Sequence, residues 1–376
     1  MRFFYYSQLM MSSRCPKKEL CGSCSWSSIP YEKQLAQKRS DINGSFRLKH
    51  LDLVCSEIVG SPITDHYRNR MDFVINFEGK VGLREKGTWW RVIDNHTCFL
   101  ADEQIDALFT QVREWVQKSG LSCYDRKTHE GFLRYAVIRS TTTGQTMLTL
   151  VTSPPKTSDD LTQLQTMTML PTTFIHSIND TDSDVSFGEE LHLLNGPGYI
   201  EELIDEKTYR ISPNAFFQTN SFTAPLLLST VKKFCGDLSN KTLLDLYCGT
   251  GLFSIALASH AKQTIGIELN ADAISDAKTN AQINNVEVHY IAAPTESYDW
   301  SVHQADIVIL DPPRSGMHDR ALADVLRIQP TEIVYVSCNP KNFAREMLKL
   351  QTRYFVTQMK AIDMFPHTPH VELVSR

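Results

Sequence analysis

Short apolar runs alternate with longer segments of helical spacing through the last third of the sequence. The runs at 242–247, 263–268 and 305–310 read as strands. A helix that follows a glycine-rich turn and ends at about 261, and a second helix at 271–284, are predicted between them. Strands that alternate with helices must run parallel, because each helix carries the chain back across the sheet. This pattern predicts an α/β fold with a doubly wound, mostly parallel sheet.

The preceding residues follow a different pattern, rich in alternating strand-like segments. Runs at 71–77, 81–84, 132–140 and 147–152 predict strands, 103–119 predicts a helix, and 154–160 reads as a linker. The 376 residues therefore divide into a cysteine-rich segment (1–50), a mostly β domain (51–205) and an α/β domain (206–376).

Charge and hydropathy argue against a strongly basic protein and against a membrane-spanning protein. The net charge is −5, from 38 basic and 43 acidic residues, so no basic field covers the whole molecule and RNA would be held by a local patch. No run approaches the roughly 18–20 apolar residues that cross a bilayer. We expect a cytoplasmic protein without membrane contact that acts as a monomer.

A glycine turn follows the strand that ends at Tyr247. In the segment DLYCGTG, Gly249 and Gly251 allow a tight bend at the start of a helix, whose free N–H groups favour a ligand. Glu268 closes the next strand, where an acid accepts hydrogen bonds from ribose. The third glycine of a dinucleotide site is missing, so the pattern favours S-adenosylmethionine.

Three motifs near the C-terminus carry groups that could react. DPPRSG places Asp311 after a strand, beside the expected methyl donor, although a helix-capping role is the alternative. VYVSCNP places Cys338 after another strand, where a cysteine alone would more often be a core residue. DMFPHTPHVE adds His367, His370 and Glu372, and this combination favours a nucleophile accompanied by a base.

With these motifs the sequence resembles the RNA uracil-C5-methyltransferases. FFQTN at 216–220 and DLYCGTGLFS at 245–254 are also similar to family motifs. The family often has threonine where this chain has Asn342, a difference that concerns the local loop geometry. The resemblance implies a Rossmann-like, S-adenosylmethionine-dependent methyltransferase domain and an N-terminal α+β domain that carries an iron-sulfur cluster.

The resemblance also implies a covalent mechanism and its residues. Cys338 would add to C6 of uracil, which makes C5 nucleophilic toward the donor methyl, and Glu372 would then remove the C5 proton. His367 and His370 would orient the substrate or support the structure. The positions that match cofactor contacts of the family are Gln218, Tyr247, Glu268 and Asp311.

Three cysteines near the N-terminus have metal-ligand spacing. Cys15-x5-Cys21-x2-Cys24 lets thiolates converge on one centre. The candidates for a fourth ligand are Cys55, Cys98 and Cys123. The resemblance implies a [4Fe–4S] cluster on Cys15, Cys21, Cys24 and Cys98, whereas zinc suits four thiolates equally and free thiols are a further alternative.

The expected partner is RNA, recognised by a basic and aromatic surface. The candidate residues are Tyr67, Arg68, Asn69, Arg70, Arg84, Lys86, Trp89, Trp90 and Arg91. Since the cysteines begin at residue 15, we expect no preceding β-barrel RNA-binding module, which favours 23S ribosomal RNA as substrate. The alternatives are the T-loop of transfer RNA and, in another class, an RNA-binding protein without activity or an iron-sulfur redox enzyme.

Overall fold

The computed structural model describes residues 15–168 and 171–376, which form two large sheets and the helices around them. The helices are α1 (Lys18–Cys21), α2 (Tyr31–Leu48), α3 (Glu103–Ser119), α4 (Ser158–Leu164), α5 (Ala224–Cys235), α6 (Leu252–Ala258), α7 (Ala271–Ile283), α8 (Asp319–Ile328) and α9 (Pro340–Leu350). The strands up to residue 211 are β1 (Ile58–Val59), β2 (Arg70–Ile75), β3 (Val81–Arg84), β4 (Val92–Asp94), β5 (Leu133–Ser140), β6 (Thr146–Thr152), β7 (Thr173–Ile178), β8 (Glu190–Asn195), β9 (Ile200–Ile204) and β10 (Lys207–Ile211). The remaining strands are β11 (Thr242–Leu246), β12 (Gln263–Glu268), β13 (His289–Ala292), β14 (Ile307–Leu310), β15 (Glu332–Ser337), β16 (Met359–Ile362) and β17 (Glu372–Ser375).

The C-terminal half is the predicted doubly wound sheet. Its strand order is β1-β16-β17-β15-β14-β11-β12-β13, and the contacts among β11 to β15 are all parallel. The strand order reverses direction between β11 and β14, which opens a crevice at their carboxyl ends. The expected ligand site therefore lies at this edge, where β11, β12, β14 and β15 all end.

One strand of this sheet runs against the others. β17 pairs antiparallel with both β15 and β16. Because of this direction, the first residue of β17 lies at the same edge as the last residues of β14 and β15.

The central part of the chain forms a seven-stranded sheet in the order β4-β3-β2-β5-β6-β7-β8. Helix α3 covers it with a buried apolar face, as the spacing of 103–119 predicts, and Asp102 caps the helix by accepting from the Gln104 N–H. The core beneath α3 also contains Cys15, Cys24 and Cys98.

The N-terminal segment packs against the C-terminal sheet. Ile42 and Phe46 of α2 are buried in the same core as Phe343 of α9, and β1 adds a parallel edge strand beside β16. Part of the predicted cysteine-rich segment (1–50) thus contributes to the core of the α/β domain (206–376). The domain boundaries at 50 and 205 stay predictions.

The linker predicted at 154–160 was wrong in its second half. Helix α4 begins at Ser158, after a capping box in which Thr157 and Asp160 bond each other's backbone N–H groups. Among the described residues, no helix is both long and apolar enough to cross a membrane.

Candidate active site

A cavity of about 1310 Å³ opens at the carboxyl edge of the C-terminal sheet. Its walls include all six residues to which sequence analysis assigned catalytic or cofactor roles, namely Gln218, Tyr247, Glu268, Asp311, Cys338 and Glu372. The central domain closes one side with Arg68 and Arg70. The cavity is therefore large enough for a nucleoside cofactor and a flipped base together.

Cys338 and Glu372 approach each other through strand register. Ser337 at the end of β15 pairs with Leu373 of β17. In an antiparallel pair the following residue of one strand faces the preceding residue of the other, so Cys338 lies opposite Glu372. Asp311 follows β14, the neighbouring parallel strand. Three groups that are far apart in sequence therefore meet at one corner of the cavity.

Burial controls the protonation of these three groups. Loss of water raises the pKa of the Glu372 carboxyl to about 7. Burial, with the charges of Glu372 and Asp245, holds the pKa of Asp311 well above its usual range. Burial and the charges of Glu372 and Asp311 raise the pKa of the Cys338 thiol to about 11, against the opposing effect of Arg314. Glu372 is thus poised to take up a proton near neutral pH.

Arg314 lies between this corner and the C-terminal loop. Its guanidinium donates to His370 Nδ1 at 3.1 Å, and its backbone carbonyl accepts from Asn342 Nδ2 at 2.7 Å. Asn342 thereby supplies the short hydrogen-bonding group expected there. Burial and then Arg314 lower the pKa of His370 to about 4, so this imidazole is neutral at physiological pH and a poor base.

The other end of the cavity has the features of a nucleotide site. Tyr247 has a left-handed φ of 65°, a strained conformation that turns the chain into the glycine segment. The Glu268 carboxylate accepts from the Gly249 N–H at 3.2 Å and from the Asn270 N–H at 2.9 Å. Around Gly249, a hypothetical Cβ meets nothing within 4 Å. The backbone there is open to a ligand.

Sequence analysis assigned no role to several residues of the cavity wall, of which three stand out. Phe216 is 65% exposed although it lines the cavity, and Thr295 and Glu296 follow β13 at the cofactor end. The motif FFQTN, which begins at Phe216, was the available signal for the first. The second pair follows the third strand of the α/β unit, where the same edge rule that selected Glu268 applies.

The predicted basic and aromatic surface is divided in two. Tyr67 is buried and donates to the Pro366 carbonyl at 2.9 Å, while Arg68 and Arg70 line the large cavity. Trp89 and Trp90 lie elsewhere, beside a separate small cavity, and are 44% and 43% exposed. The Arg126 guanidinium stands 5.5 Å from the Trp89 ring and Arg91 stands 5.8 Å from that of Trp90.

The four cysteines of the predicted metal site lie near one another. Cys15, Cys24 and Cys98 are buried in one core, and burial followed by the charge of Cys15 raises the pKa of Cys24 to about 12. Cys98 is close enough to feel the charge of Cys21. No three or more His, Cys, Asp or Glu side chains within 15–168 and 171–376 are arranged as ligands of a metal ion. Of the other two candidates, Cys55 lies in the core of the C-terminal sheet instead, and the half-buried Cys123 packs at the margin of the central core.

Comparison with known proteins finds similarity over almost the whole chain. A family model described as tRNA (uracil-5-)-methyltransferase matches residues 199–374. An uncharacterised RNA methyltransferase of Caldanaerobacter subterraneus is 39% identical over 98% of this chain and 85% of its own. A tRNA (uracil(54)-C(5))-methyltransferase of Pyrococcus horikoshii is 38% identical over 98% of this chain and 86% of its own.

A solved structure has the same fold. The crystal structure of Pyrococcus abyssi tRNA (uracil-54, C5)-methyltransferase in complex with S-adenosyl-L-homocysteine superposes with a TM-score of 0.80 at 34% identity. The match covers 94% of this chain and 84% of the other.

Proposed function

Because this chain belongs to the RNA uracil-C5-methyltransferase family, we propose that it forms 5-methyluridine in RNA with S-adenosylmethionine as methyl donor. The observation that carries the proposal is the meeting of Cys338 and Glu372 at one corner of a cavity whose other end is built for a nucleoside. A nucleophile and a base in contact with the same buried space are what methylation at an unreactive ring carbon requires.

In the first step Cys338 adds to C6 of the uracil ring. The thiolate is the attacking species whereas burial favours the neutral thiol, so the thiol proton first passes to water in the cavity, and Glu372 stays ionised for the later step. Arg314 lowers the pKa of Cys338 and lies where its charge stabilises the thiolate. The new S–C6 bond moves the electron pair of the C5–C6 double bond toward C5 and the C4 carbonyl. C5 would then form a bond to the methyl carbon as the S–CH3 bond of the sulfonium breaks, which leaves S-adenosylhomocysteine.

In the second step the C5 proton leaves and the S–C6 bond breaks. Glu372 accepts this proton in its ionised form, and the electron pair of the C5–H bond restores the C5–C6 double bond and expels the sulfur. A pKa of about 7 allows Glu372 to be ionised before the step and protonated after it near neutral pH. His370, whose pKa is about 4, stays neutral throughout and donates or accepts a hydrogen bond only.

The donor end of the cavity fits S-adenosylmethionine, which supplies a methyl group on a sulfonium. The fit rests on the open backbone at Gly249 and on the Glu268 carboxylate, both of which line the cavity. Glu268 would hold the ribose hydroxyls, and Gln218, Tyr247 and Asp311 would complete the site.

We propose transfer RNA, at the T-loop uridine, as the substrate. The relatives of stated specificity reported above act on uracil 54 of transfer RNA, and they support this alternative over 23S ribosomal RNA, which sequence analysis favoured. The test is methylation in vitro of full transfer RNA and 23S RNA fragments with labelled donor. Label in 5-methyluridine of the T-loop supports the proposal, and label confined to 23S RNA overturns it.

We also propose that Cys15, Cys21, Cys24 and Cys98 hold a [4Fe–4S] cluster. What supports the proposal is the donor type and the neighbourhood. Cys15, Cys24 and Cys98 lie in one buried core, and Cys21 is close enough to Cys98 that its charge adds to the effect of burial in raising the pKa of Cys98. Four thiolates are the ligands that such a cluster takes. The methyl transfer moves no electron, so the cluster would serve the structure of this region. Anaerobic purification followed by iron and acid-labile sulfide assays tests the assignment. Iron and sulfide in equal amounts support it, and zinc without sulfide overturns it.

A further inference from the structure

The loop 363–371, which joins β16 to β17, forms part of the cavity wall. Phe365 and His370 of this loop line the cavity, and the loop ends at Glu372. Two neighbours of the proposed base therefore lie on one irregular segment, whose backbone no sheet pairing fixes between Ile362 and Glu372, and the base is the first residue of the strand that follows.

Helix α2 holds the start of this loop with a buried ion pair. Lys38 Nζ donates to Asp363 Oδ1 at 2.6 Å and to the Phe365 carbonyl at 3.0 Å. Both charged side chains are fully buried. Asp363 Oδ1 also accepts from the Phe365 N–H at 3.0 Å. The N–H and the carbonyl of Phe365 are thus both hydrogen-bonded to the Lys38–Asp363 ion pair.

One turn earlier on α2, Gln34 holds the middle of the loop. Its Oε1 accepts from the His367 N–H at 2.8 Å, and its Nε2 donates to His367 Nδ1 at 3.1 Å. His367 Nε2 then has the proton and lies 3.3 Å from Asp65 Oδ1. His367 adopts a left-handed φ of 65°, which a non-glycine residue keeps only where its surroundings fix it.

The proposed cysteine cluster lies beside the same point. The N–H of Trp26, two residues after Cys24, donates to the His367 carbonyl at 3.0 Å. The ring of Phe99, next to Cys98, packs 5.3 Å from the His367 ring. Each of the two chain segments that contain the buried cysteines therefore has a residue in contact with the loop.

From these contacts we propose that Gln34 and Lys38 are positioning residues for the loop 363–371. Through them the N-terminal segment holds this loop in the conformation needed for the step in which Glu372 removes the C5 proton. Neither side chain lines the cavity, so each acts through the loop. The inference rests on the proposed function, because it assigns a role in the same reaction.

The experiment compares Gln34→Leu with a matched control on the same helix. Gln34 Nε2, besides its bond to the loop, donates to the Trp26 and Ile29 carbonyls at 3.2 and 2.8 Å. Asn43 makes two side-chain hydrogen bonds to backbone, to the N–H and carbonyl of Cys55 at 2.8 and 3.0 Å, and none to the loop. Asn43→Leu therefore removes a similar anchor of α2 without touching the loop. A second variant, Lys38→Met with Asp363→Asn, removes the ion pair without leaving a lone buried charge.

Each variant is assayed with full transfer RNA at a temperature where circular dichroism shows it folded. We expect kcat to fall at least tenfold in both loop variants and less than twofold in Asn43→Leu, with the Kd for S-adenosylmethionine within twofold of wild type throughout. Because proton removal is slowed, the fraction of enzyme bound covalently to ordinary RNA should rise in the loop variants. Equal kcat values and equal adduct in the loop variants and Asn43→Leu would overturn the inference.

A wild-type control separates this result from failure of the proposed function. Wild-type enzyme incubated with 5-fluorouridine RNA and donor must become trapped, since that outcome depends on Cys338 and not on the loop variants. If wild type is not trapped, the proposed function fails; if wild type is trapped and the loop variants behave like Asn43→Leu, only the positioning role fails.

Discussion

Cys338 lies opposite Glu372 because β17 is antiparallel to β15 in a sheet that is otherwise mostly parallel. If β17 ran parallel, its first residue would lie at the far edge of the sheet, away from the cavity. The reversed strand therefore brings a base from the end of the chain to the nucleophile.

Replacing Glu372 by glutamine should separate the two chemical steps. The amide cannot accept the C5 proton, so we expect turnover to fall at least a hundredfold while the cysteine adduct with ordinary RNA still forms. Denaturing electrophoresis with labelled RNA measures the adduct. Turnover near the wild-type rate would show that another group is the base.

The same substitution should stabilise the protein above neutral pH. The pKa of Glu372 is raised from 4.5 to about 7, so its ionised form is disfavoured in the folded state. The carboxyl therefore lowers stability progressively as pH rises from about 4.5 to 7, and the loss is complete above that range. The shift corresponds to roughly 3 kcal/mol. Denaturant unfolding should show Glu372→Gln more stable than wild type at pH 8 and little changed at pH 4.

The pH profile of kcat should rise through about pH 7. Glu372 must be ionised to take the proton, so where removal of the C5 proton limits kcat, activity is low below the pKa of Glu372 and reaches a plateau above it. His370, with a pKa of about 4, does not titrate in this range, so His370→Asn should keep the same midpoint. Initial rates between pH 6 and 9 measure this. A midpoint that disappears in His370→Asn would assign it to the histidine.

Glu268→Ala should weaken donor binding. The carboxylate is held by two backbone N–H groups and would accept from ribose hydroxyls, interactions worth roughly 1.5–3 kcal/mol each. We expect the Kd for S-adenosylmethionine to rise at least tenfold, measured by calorimetry, with RNA affinity unchanged. Asp272→Ala, a first-turn acid of α7 outside the cavity, is the control.

Trp89→Ala should raise KM for RNA without changing kcat. An exposed indole beside Arg126 suits stacking of an unpaired base, which contributes about 1–3 kcal/mol. We expect at least a fivefold higher KM. Phe355, which is 82% exposed in the other half of the chain, gives the control variant Phe355→Ala. Equal KM values in the two variants would remove Trp89 from the RNA surface.

The sequence alone predicted those site residues that end or directly follow a strand. Glu268, Asp311 and Cys338 each follow an apolar run, and a parallel sheet brings such positions to one edge. Helix α3 was predicted to its first and last residue, since its apolar spacing is regular and Gly120 has the left-handed φ of a helix end.

The contacts of α2 could not be predicted in the same way. Lys38 and Gln34 stand among polar residues of an apparently solvated helix, yet both are fully buried against a loop more than 300 residues away. Periodicity reports which face of a helix is apolar, whereas a buried polar residue is defined by its partner. Likewise, the basic and aromatic surface was divided because Arg68 and Arg70 lie just before and at the start of β2, whereas Trp89 and Trp90 lie between β3 and β4 beside a different cavity.

The most direct test of the account is trapping on RNA that contains 5-fluorouridine at the target position. Fluorine at C5 cannot leave as a proton does, so the methylated adduct cannot resolve. With S-adenosylmethionine present, the account predicts a denaturation-resistant complex linked through Cys338, formed equally by Cys235→Ala and not at all by Cys338→Ala. A complex that forms in Cys338→Ala, or none in wild type, would contradict the covalent mechanism.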